Sequence, residues 1–431
     1  MWALEEILRR EFFGIKLGLD SMRALCDALG GPQFASPTII VAGTNGKGSV
    51  TAMVSTALRA AGWRAGRYTS PHLVSVRERF VVDEAPADEA DLEQAAAAVL
   101  EAEGRARASG AVPAPMTFFE LATATAFEHF RRARVDAAVI EVGMGGRFDA
   151  TNVVSPAACA ITTIAVDHVE HLGDTLARIA FEKAGVLRPG VPAVVGALPP
   201  EAHAVVRDTA ASLGAPLVDA IAGVETAASL DADGRTRLRL KTPARDYGTL
   251  TLALRGAHQV HNAIVAVRVL EVLEGATPIR VSPQAVRLGL ETTRWAGRLD
   301  LRDAGEGRSV LFDAAHNPAG AEALAQYVRE AGMAPMPLVY GVMRDKDAGP
   351  MLRALAGITS RFVFTQAATR RARPADELPA LARGAGVTVP TTVAADPGDA
   401  LRLAWDVGPR ACVTGSIFLV GDVLQLVPTA R

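Results

Sequence analysis

The segment Gly43-Thr44-Asn45-Gly46-Lys47-Gly48-Ser49 combines glycines, a lysine and a hydroxyl in a pattern suited to gripping phosphate. An apolar run, Thr38–Ala42, leads into it, and a helical pattern follows from about Gly48 to Ala61. A strand feeding a glycine-rich turn into a helix aims several backbone N–H groups and the positive end of the helix dipole at one spot. Lys47 adds a mobile ammonium for phosphate oxygens, and Ser49 or Thr51 offers a hydroxyl near a metal. The loop is shorter than the usual G-x-x-x-x-G-K-[ST] phosphate loop, and Gly48 intervenes before Ser49. The bland alternative is an ordinary glycine-rich strand-to-helix turn. Strand, loop, lysine and helix together favour nucleotide binding.

Two other segments carry groups useful to a metal–phosphate site. Glu141 ends an apolar run and opens the stretch Glu141-Val-Gly-Met-Gly-Gly-Arg147-Phe-Asp149-Ala-Thr151-Asn152. An acid at the C-terminal end of a strand beside the phosphate-loop strand is well placed for Mg²⁺, because ligands collect at that edge of an α/β sheet. A solvated loop is the alternative. Asp167-His168 follows another strand end and offers a second metal position, although a lone histidine is usually structural. His168 and His171 are not in HExxH order and have no cysteine nearby, which argues against zinc. Lys183 falls in an amphipathic helix, where a solvated surface lysine is the default reading.

The elements that must position these groups alternate strand and helix, the mark of α/β domains with mainly parallel sheets. Strands are expected at 38–42, 137–141, 158–163 and 191–195, and helices at 119–132, 176–184 and 260–273. The Ala-rich tract Glu93–Ala106 reads as a surface helix built from a strong helix former. The alternating stretch Arg235–Leu254, with a central turn, reads as a β-hairpin attached to the first domain. Beyond Gly297 a second series predicts strands at 309–313, 338–341, 361–365 and 410–413. The fold class is therefore α/β: a phosphate-loop-containing, mainly parallel sheet domain over 1–296, then a smaller Rossmann-like domain over 297–431.

In the 431 residues, hydrophobic types make up 49% and charged types 21%, the balance of a globular protein with an ordinary core. The formal net charge of −2 argues against a nucleic-acid partner, which would need a basic excess. Three scattered cysteines form neither a zinc site nor a disulfide framework. The charged N-terminus does not look like a signal peptide, and no apolar run reaches membrane-span length. A cytoplasmic protein with no membrane partner is expected.

The motifs resemble those of the folylpolyglutamate synthase family, often bifunctional with dihydrofolate synthase, within the Mur ligase superfamily. They are VAGTNGKGS at 41–49, TSPHL at 69–73 with Glu78-Arg79, TFFE at 117–120 and EVGMGGRFDATN at 141–152. DHVEHLGDTL at 167–176, EKAG at 182–185, HQVHNA at 258–263, GRL at 297–299 and DAAHNP at 313–318 complete the series. Ala296 stands where the family usually has proline, and Ala314 where it usually has glycine.

The resemblance implies an ATP-dependent ligase that phosphorylates a folate carboxylate and lets the amine of L-glutamate displace the phosphate. Dihydropteroate is an equally permitted acceptor, and a monomer suffices because two domains can form the whole site. Gly43, Thr44, Asn45, Gly46, Lys47, Gly48 and Ser49 would hold ATP, with Asn262, Arg298 and Asp313 as further nucleotide contacts. Ser70, Glu141 and His168 correspond to Mg²⁺ ligands, and Lys183 to a lysine carbamylated by CO₂ that could join them. Lys47, Lys183, Asp313 and His316 are the implied catalytic residues, with Asp313 and His316 also helping to place glutamate. Phe118, Phe119 and the Ser70–Arg79 loop, with Arg79, would line the pterin or aminobenzoate region, since a flat heteroaromatic needs an apolar or aromatic wall; core packing is the alternative for each phenylalanine.

Three rivals stand against this reading. A muramyl-peptide ligase usually carries a UDP-binding domain ahead of the phosphate loop, and only 42 residues precede Gly43 here. A phosphate-loop ATPase without ligase activity would not need the second α/β domain. A nucleotide-binding regulator would tolerate loss of Lys47 or Glu141, and both are present.

Overall fold

The structure is a computed structural model that describes residues 2–10 and 18–427. It divides into two compact units. The first comprises Met1–Ala227, Arg239–Leu250 and His261–Thr293; the second comprises Ala228–Leu238, Thr251–Val260 and Arg294–Arg431.

The first unit is built on strands β1 (Thr38–Ala42), β2 (Ala65–Tyr68), β3 (Phe80–Val82), β4 (Ala85–Pro86), β5 (Ala137–Glu141), β6 (Pro156–Ile161), β7 (Ala193–Val195) and β8 (Leu217–Asp219). They lie in the order β4-β3-β2-β5-β1-β6-β7-β8. β1 pairs in parallel with β5 and β6, and only the β3 and β4 edge is antiparallel. Every residue of β1 and β5 is buried, which explains their unbroken apolar runs: a parallel strand is covered on both faces. The helix Lys47–Ala60 after β1 is buried from Gly48 through Leu58, so it is a core helix rather than an amphipathic one.

The helix Phe118–Ala133 starts one residue before the expected 119 because Thr117 and Glu120 form a capping box. Thr117 N donates to Glu120 Oε2 at 2.8 Å, and Glu120 N donates to Thr117 Oγ1 at 3.3 Å. The Ala-rich helix spans Glu89–Ala108 and buries Leu92, Ala95, Ala96, Val99 and Ala102 along one face. It covers the core on that face and meets solvent on the other.

The expected hairpin is one part of a three-stranded sheet, β9 (Glu225–Leu230), β10 (Thr236–Lys241) and β11 (Asp246–Thr251), in the order β11-β10-β9. Its turn is tied to the helix Ala257–Ala276 within the first unit. Tyr247 Oη donates to a Glu271 carboxylate at 2.9 Å, and Arg245 pairs with Glu274.

The second unit holds β12 (Asp300–Gly305), β13 (Arg308–Phe312), β14 (Met336–Tyr340), β15 (Thr359–Phe364), β16 (Thr391–Val393) and β17 (Arg410–Thr414), ordered β12-β13-β17-β14-β15-β16. All pairs are parallel except β12 with β13. The C-terminal ends of β13 and β17 are thereby side by side. Among the described residues no helix is long and apolar enough to cross a membrane.

Candidate active site

The phosphate loop is fixed from beneath by the end of β6. Thr44 N donates to Thr163 O at 2.7 Å, and Asn45 N donates to Thr163 Oγ1 at 3.0 Å. Thr162 Oγ1 returns a bond to Asn45 O at 2.6 Å. Two glycines are obligatory for steric reasons. Gly43 has φ +145°, and a Cβ there would run into the Thr162 hydroxyl; Gly46 has φ +85°, and a Cβ there would strike the Asn262 amide. Asn262, from the HQVHNA motif, therefore lies directly on the loop. Residues 45–47 are its half-buried part, and Lys47 Nζ rests on Thr44 O at 3.1 Å. Ser49 is buried; so is Thr51, whose hydroxyl has no protein partner among the described residues.

Glu141 ends β5 opposite Val41 of β1, so the acid is one strand away from the loop. It is buried and accepts from Ser70 N at 3.1 Å, which brings together two of the expected metal ligands. Nearby, Asp149 folds its own loop: it accepts from Met144 N, Thr151 N and Thr151 Oγ1 at 2.9, 3.0 and 2.5 Å. Burial pushes its carboxyl above the ordinary range despite those bonds.

Lys183 departs from the surface-lysine reading. It is only 4% exposed, and its Nζ donates to Gly43 O at 2.8 Å. Burial, reinforced by the positive charge of Lys47, pushes its ammonium down to about 7, while Asp167 and Asp149 act in the opposite sense. Its helix, Leu176–Ala184, buries Ile179, Ala180, Lys183 and Ala184, so the lysine occupies the apolar stripe at helical spacing.

His168 has a left-handed backbone (φ +50°) that turns the chain after β6. Its N–H donates to Asp167 Oδ1 at 2.9 Å, and its exposed ring lies 4.0 Å from Asp167 Oδ2. Among the described residues no group of three or more His, Cys, Asp or Glu side chains could by itself hold a metal ion.

In the second unit the loop after β13 is tied on several sides. Asp313 is buried; Leu299 N donates to its Oδ2 at 2.9 Å and Ala315 N to its Oδ1 at 3.0 Å. Burial pushes the Asp313 carboxyl up to about 6, against the attraction of Arg298 and those two bonds. Ala314 N donates to Gly297 O at 2.8 Å, and Gly415 N, just past β17, donates to Ala315 O at 3.1 Å. Asn317 caps the helix Pro318–Glu330 by accepting from Gly320 N at 2.9 Å. Arg298, Asp313 and His316 are thus assembled around one knot. Ala314 is buried within it without strain, so the small residue serves where the family's glycine is usual.

The Mur ligase middle domain matches residues 41–270, and the Mur ligase glutamate ligase domain matches residues 297–416. The dihydrofolate synthase/folylpolyglutamate synthase of Mycobacterium tuberculosis is 38% identical over 381 residues, covering 85% of this chain and 77% of that protein. The chain belongs to the dihydrofolate synthase/folylpolyglutamate synthase family of Mur ligases. It is an ATP-dependent ligase by that membership. The structure of M. tuberculosis folylpolyglutamate synthase complexed with ADP and AMPPCP superimposes with a TM-score of 0.91 at 33% identity, covering 100% of this chain and 99% of that one. Escherichia coli FolC in complex with DHPP and ADP gives a TM-score of 0.84 at 28% identity, covering 98% and 96% of the two chains.

The ligase also contains a cluster that the sequence motifs identified only in part. Arg79 is buried with its guanidinium 5.0 Å from the centre of the Phe118 ring, and its Nε donates to His72 Nδ1 at 2.9 Å. Burial, together with the Arg79 charge, pushes His72 down to about 4, so its ring stays a neutral acceptor. Glu78 closes the intervening loop by accepting from Leu73 N, Val74 N and Ser75 N at 2.8, 3.0 and 2.8 Å. Phe119 is set apart from Phe118: half-buried, it packs against Gly143 and lies 6.3 Å from the Tyr68 ring. The sequence reading included His72 only as part of the Ser70–Arg79 loop and missed Thr162 and Thr163 as shaping residues. The usable signal for the threonines was a polar pair immediately after a fully apolar strand.

Proposed function

We propose that this ligase uses ATP to activate a carboxylate of a folate-type substrate, tetrahydrofolate or dihydropteroate, and joins it to L-glutamate. The γ-phosphate passes to the carboxylate, giving an acyl phosphate; the glutamate nitrogen attacks the acyl carbon, and phosphate leaves. The observation that carries the reading is the buried Lys183 bonded to Gly43, which puts an amine of depressed basicity at the root of the phosphate grip. The relatives' complexes with ADP, AMPPCP and DHPP support nucleotide and pterin binding by the same fold.

Lys47 and the N–H groups of the 43–49 loop other than those of Thr44 and Asn45, which bond to Thr163, would hold the transferring phosphate, where oriented donors offset the charge that repels an attacking carboxylate. Asn262 and Arg298 would contact the nucleotide, Asp313 would order its surroundings, and His316 would meet glutamate. Arg79, Phe118 and Phe119 would line the wall for the flat substrate.

The donor set fits Mg²⁺ in part without modification. Ser70 and Glu141 offer hard oxygens, and His168 an imidazole, whereas Mg²⁺ commonly takes one or two carboxylates and completes its shell with substrate phosphates. Lys183 is the misfit, because an ammonium there repels a cation. Its depressed basicity leaves a neutral fraction whose lone pair can attack CO₂, forming an N–C bond and, after proton loss, an anionic carbamate. With Ser70, Glu141 and His168, the carbamylated Lys183 would hold Mg²⁺, which supplies charge neutralisation to the phosphates when bound. In the domain terms of the sequence, 1–296 would hold ATP and the folate, and 297–431 would contribute to the glutamate and ATP site. A cytoplasmic monomer completes the proposal.

The test is ADP release from ATP with tetrahydrofolate or dihydropteroate, each with and without L-glutamate. Glutamate-stimulated ADP release with amide product is expected with at least one acceptor. Glutamate-independent ATP hydrolysis with no ligated product would assign the chain to the plain ATPase reading.

A further inference from the structure

We infer that Arg147 reads the carboxylate that a glutamyl-bearing acceptor leaves unused in the reaction, and so favours tetrahydrofolate over dihydropteroate. The inference rests on the ligase reading above and names the residue that would tell its two acceptors apart. Arg147 lies on the loop after β5, which is pressed onto the end of the helix Leu176–Ala184. Its backbone N–H donates to Glu182 O at 2.8 Å, and Asn152 Nδ2 donates to the carbonyls of Arg147 and Gly185 at 3.1 and 3.0 Å. The seating is close enough to need glycine on both sides. A Cβ on Gly146 would lie 2.9 Å from Glu182 O, and one on Gly185 would lie 2.4 Å from Arg147 Cβ. The backbone that carries the guanidinium is therefore fixed beside Lys183, whose Nζ reaches the phosphate loop at Gly43 O.

The side chain is exposed. Its Cζ lies 4.8 Å from the centre of the Phe148 ring and 5.2 Å from that of Phe181, and both rings are exposed as well. Such contacts engage the positive charge and restrict the side chain without consuming its N–H donors. Among the described residues no hydrogen bond or ion pair reaches this guanidinium. The neighbouring acids do not meet it: Asp149 is committed to Met144 N, Thr151 N and Thr151 Oγ1, and Glu182 touches Arg147 through its backbone carbonyl. At the other end of the same loop Gly143 packs against Phe119, one of the residues proposed for the substrate wall. The loop thus joins that wall to the surroundings of Lys183, and Arg147 is its cation.

The two acceptors differ in the group such a cation recognises. Dihydropteroate carries one carboxylate, and the reaction consumes it by turning it into an amide. Tetrahydrofolate carries two on its glutamyl end; one is activated, and the other stays an anion throughout. An acceptor with its ring on the wall and its reacting carboxylate at the phosphate grip would bring that second carboxylate to this loop. A guanidinium with uncommitted N–H groups meets a carboxylate through two parallel hydrogen bonds, and it offsets the repulsion between that anion and the phosphates. Dihydropteroate offers it nothing to bind.

The test compares acceptors. Arg147→Met, in the full chain, keeps an unbranched side chain against the two rings and removes the charge. With Mg-ATP and saturating L-glutamate, its KM for tetrahydrofolate should rise at least ~10-fold, the low end for lost hydrogen bonds to a charged group. Its kcat should stay within about threefold, and its KM for dihydropteroate and for ATP within about twofold, as expected for lost binding of one group. Arg147→Lys restores the charge without the planar fork and should recover part of the tetrahydrofolate KM. The tetrahydrofolate mono-amide that keeps only its reacting carboxylate should be a poor substrate for the unaltered chain. It should respond to Arg147→Met by no more than about twofold, because the interacting partner is already gone; that activity also reports a folded chain. An unchanged tetrahydrofolate KM in Arg147→Met would overturn the inference, as would equal losses with tetrahydrofolate and the mono-amide. A raised KM for ATP would overturn it by assigning the guanidinium to phosphate, and use of dihydropteroate alone by the unaltered chain would leave Arg147 no carboxylate to read and refute it as well. Ligation of glutamate to none of these acceptors would sink the ligase reading itself, and it is told apart by appearing already in the unaltered chain.

Discussion

Lys183 in the first unit and Asp313 in the second are both buried ionisable groups whose charged forms are penalised by desolvation, yet their surroundings differ. Lys183 has one named hydrogen-bond acceptor, Gly43 O, and a like charge nearby in Lys47. Asp313 has both oxygens occupied by backbone N–H groups, from the linker and from its own loop. The same burial therefore does two things. It leaves the lysine partly neutral near neutral pH, and it makes the aspartate a tie for the backbone beside Arg298 and His316. Chemistry should concentrate at the first group and positioning at the second.

Removing the reactive group should give the largest effect. Lys183→Met fills the same buried space without a charge and should reduce ligation by at least ~10³-fold, a loss typical of a group acting in the chemical step. Its thermal unfolding midpoint should match or exceed that of the unaltered chain, because a desolvated cation is gone. A variant that keeps a tenth of the activity would place Lys183 among structural residues. Mass spectrometry of the native chain in CO₂-containing buffer should find the carbamate on Lys183.

Gly46→Ala comes next. Its Cβ would lie 2.3 Å from Asn262 Oδ1 at a backbone φ of +85°, so the loop or the Asn262 amide must move by roughly 1 Å. Misplacement on that scale should cost about 100-fold in kcat/KM for ATP, measured by ADP release. Unchanged kinetics would show that the loop's shape is not set by Asn262.

How much of this was legible in the sequence depended on periodicity. Thr38–Ala42, Ala137–Glu141 and Leu176–Ala184 form over the expected residues, because an apolar run or stripe ends sharply at a glycine or polar residue. The edge strands Leu217–Asp219 and Asp300–Gly305 were not expected, since short edges are half-exposed and show little pattern. The burial of Lys183 was legible in principle: it lies four residues after Ile179 and three after Ala180, on their stripe. The prior that lysines are solvated overrode the spacing. The His72–Arg79 bond and the ties to Asp313 join residues through turns whose φ values no local pattern specifies, notably Leu299 at φ +46°.

The tie at Asp313 should yield smaller effects than the lysine. In Asp313→Asn one oxygen can still accept, but the amide nitrogen then faces an N–H donor and one bond is lost. A lost hydrogen bond to a charged group is worth about 1.5–3 kcal/mol, so the glutamate KM should rise about tenfold or somewhat more. The Lys183-dependent carbamate should be unaffected, which separates the two residues' roles. A drop in kcat matching that of Lys183→Met would erase the distinction between them.

The smallest expected effect is on stability against pH. The carboxyl is raised from its ordinary 3.8 to about 6 in the folded chain. Between those values the folded state holds a proton that the unfolded state has released, so stability falls as pH rises through that window. The gap caps the contribution at about 3 kcal/mol, and relaxation around the loop should leave roughly 1 kcal/mol of it. Urea unfolding followed at pH 4.5 and pH 7 should show this decline in the unaltered chain and a flatter profile in Asp313→Asn, whose amide does not titrate. A steeper decline in the variant would mean that other groups control the window and that burial of Asp313 is relieved by more than its two backbone bonds.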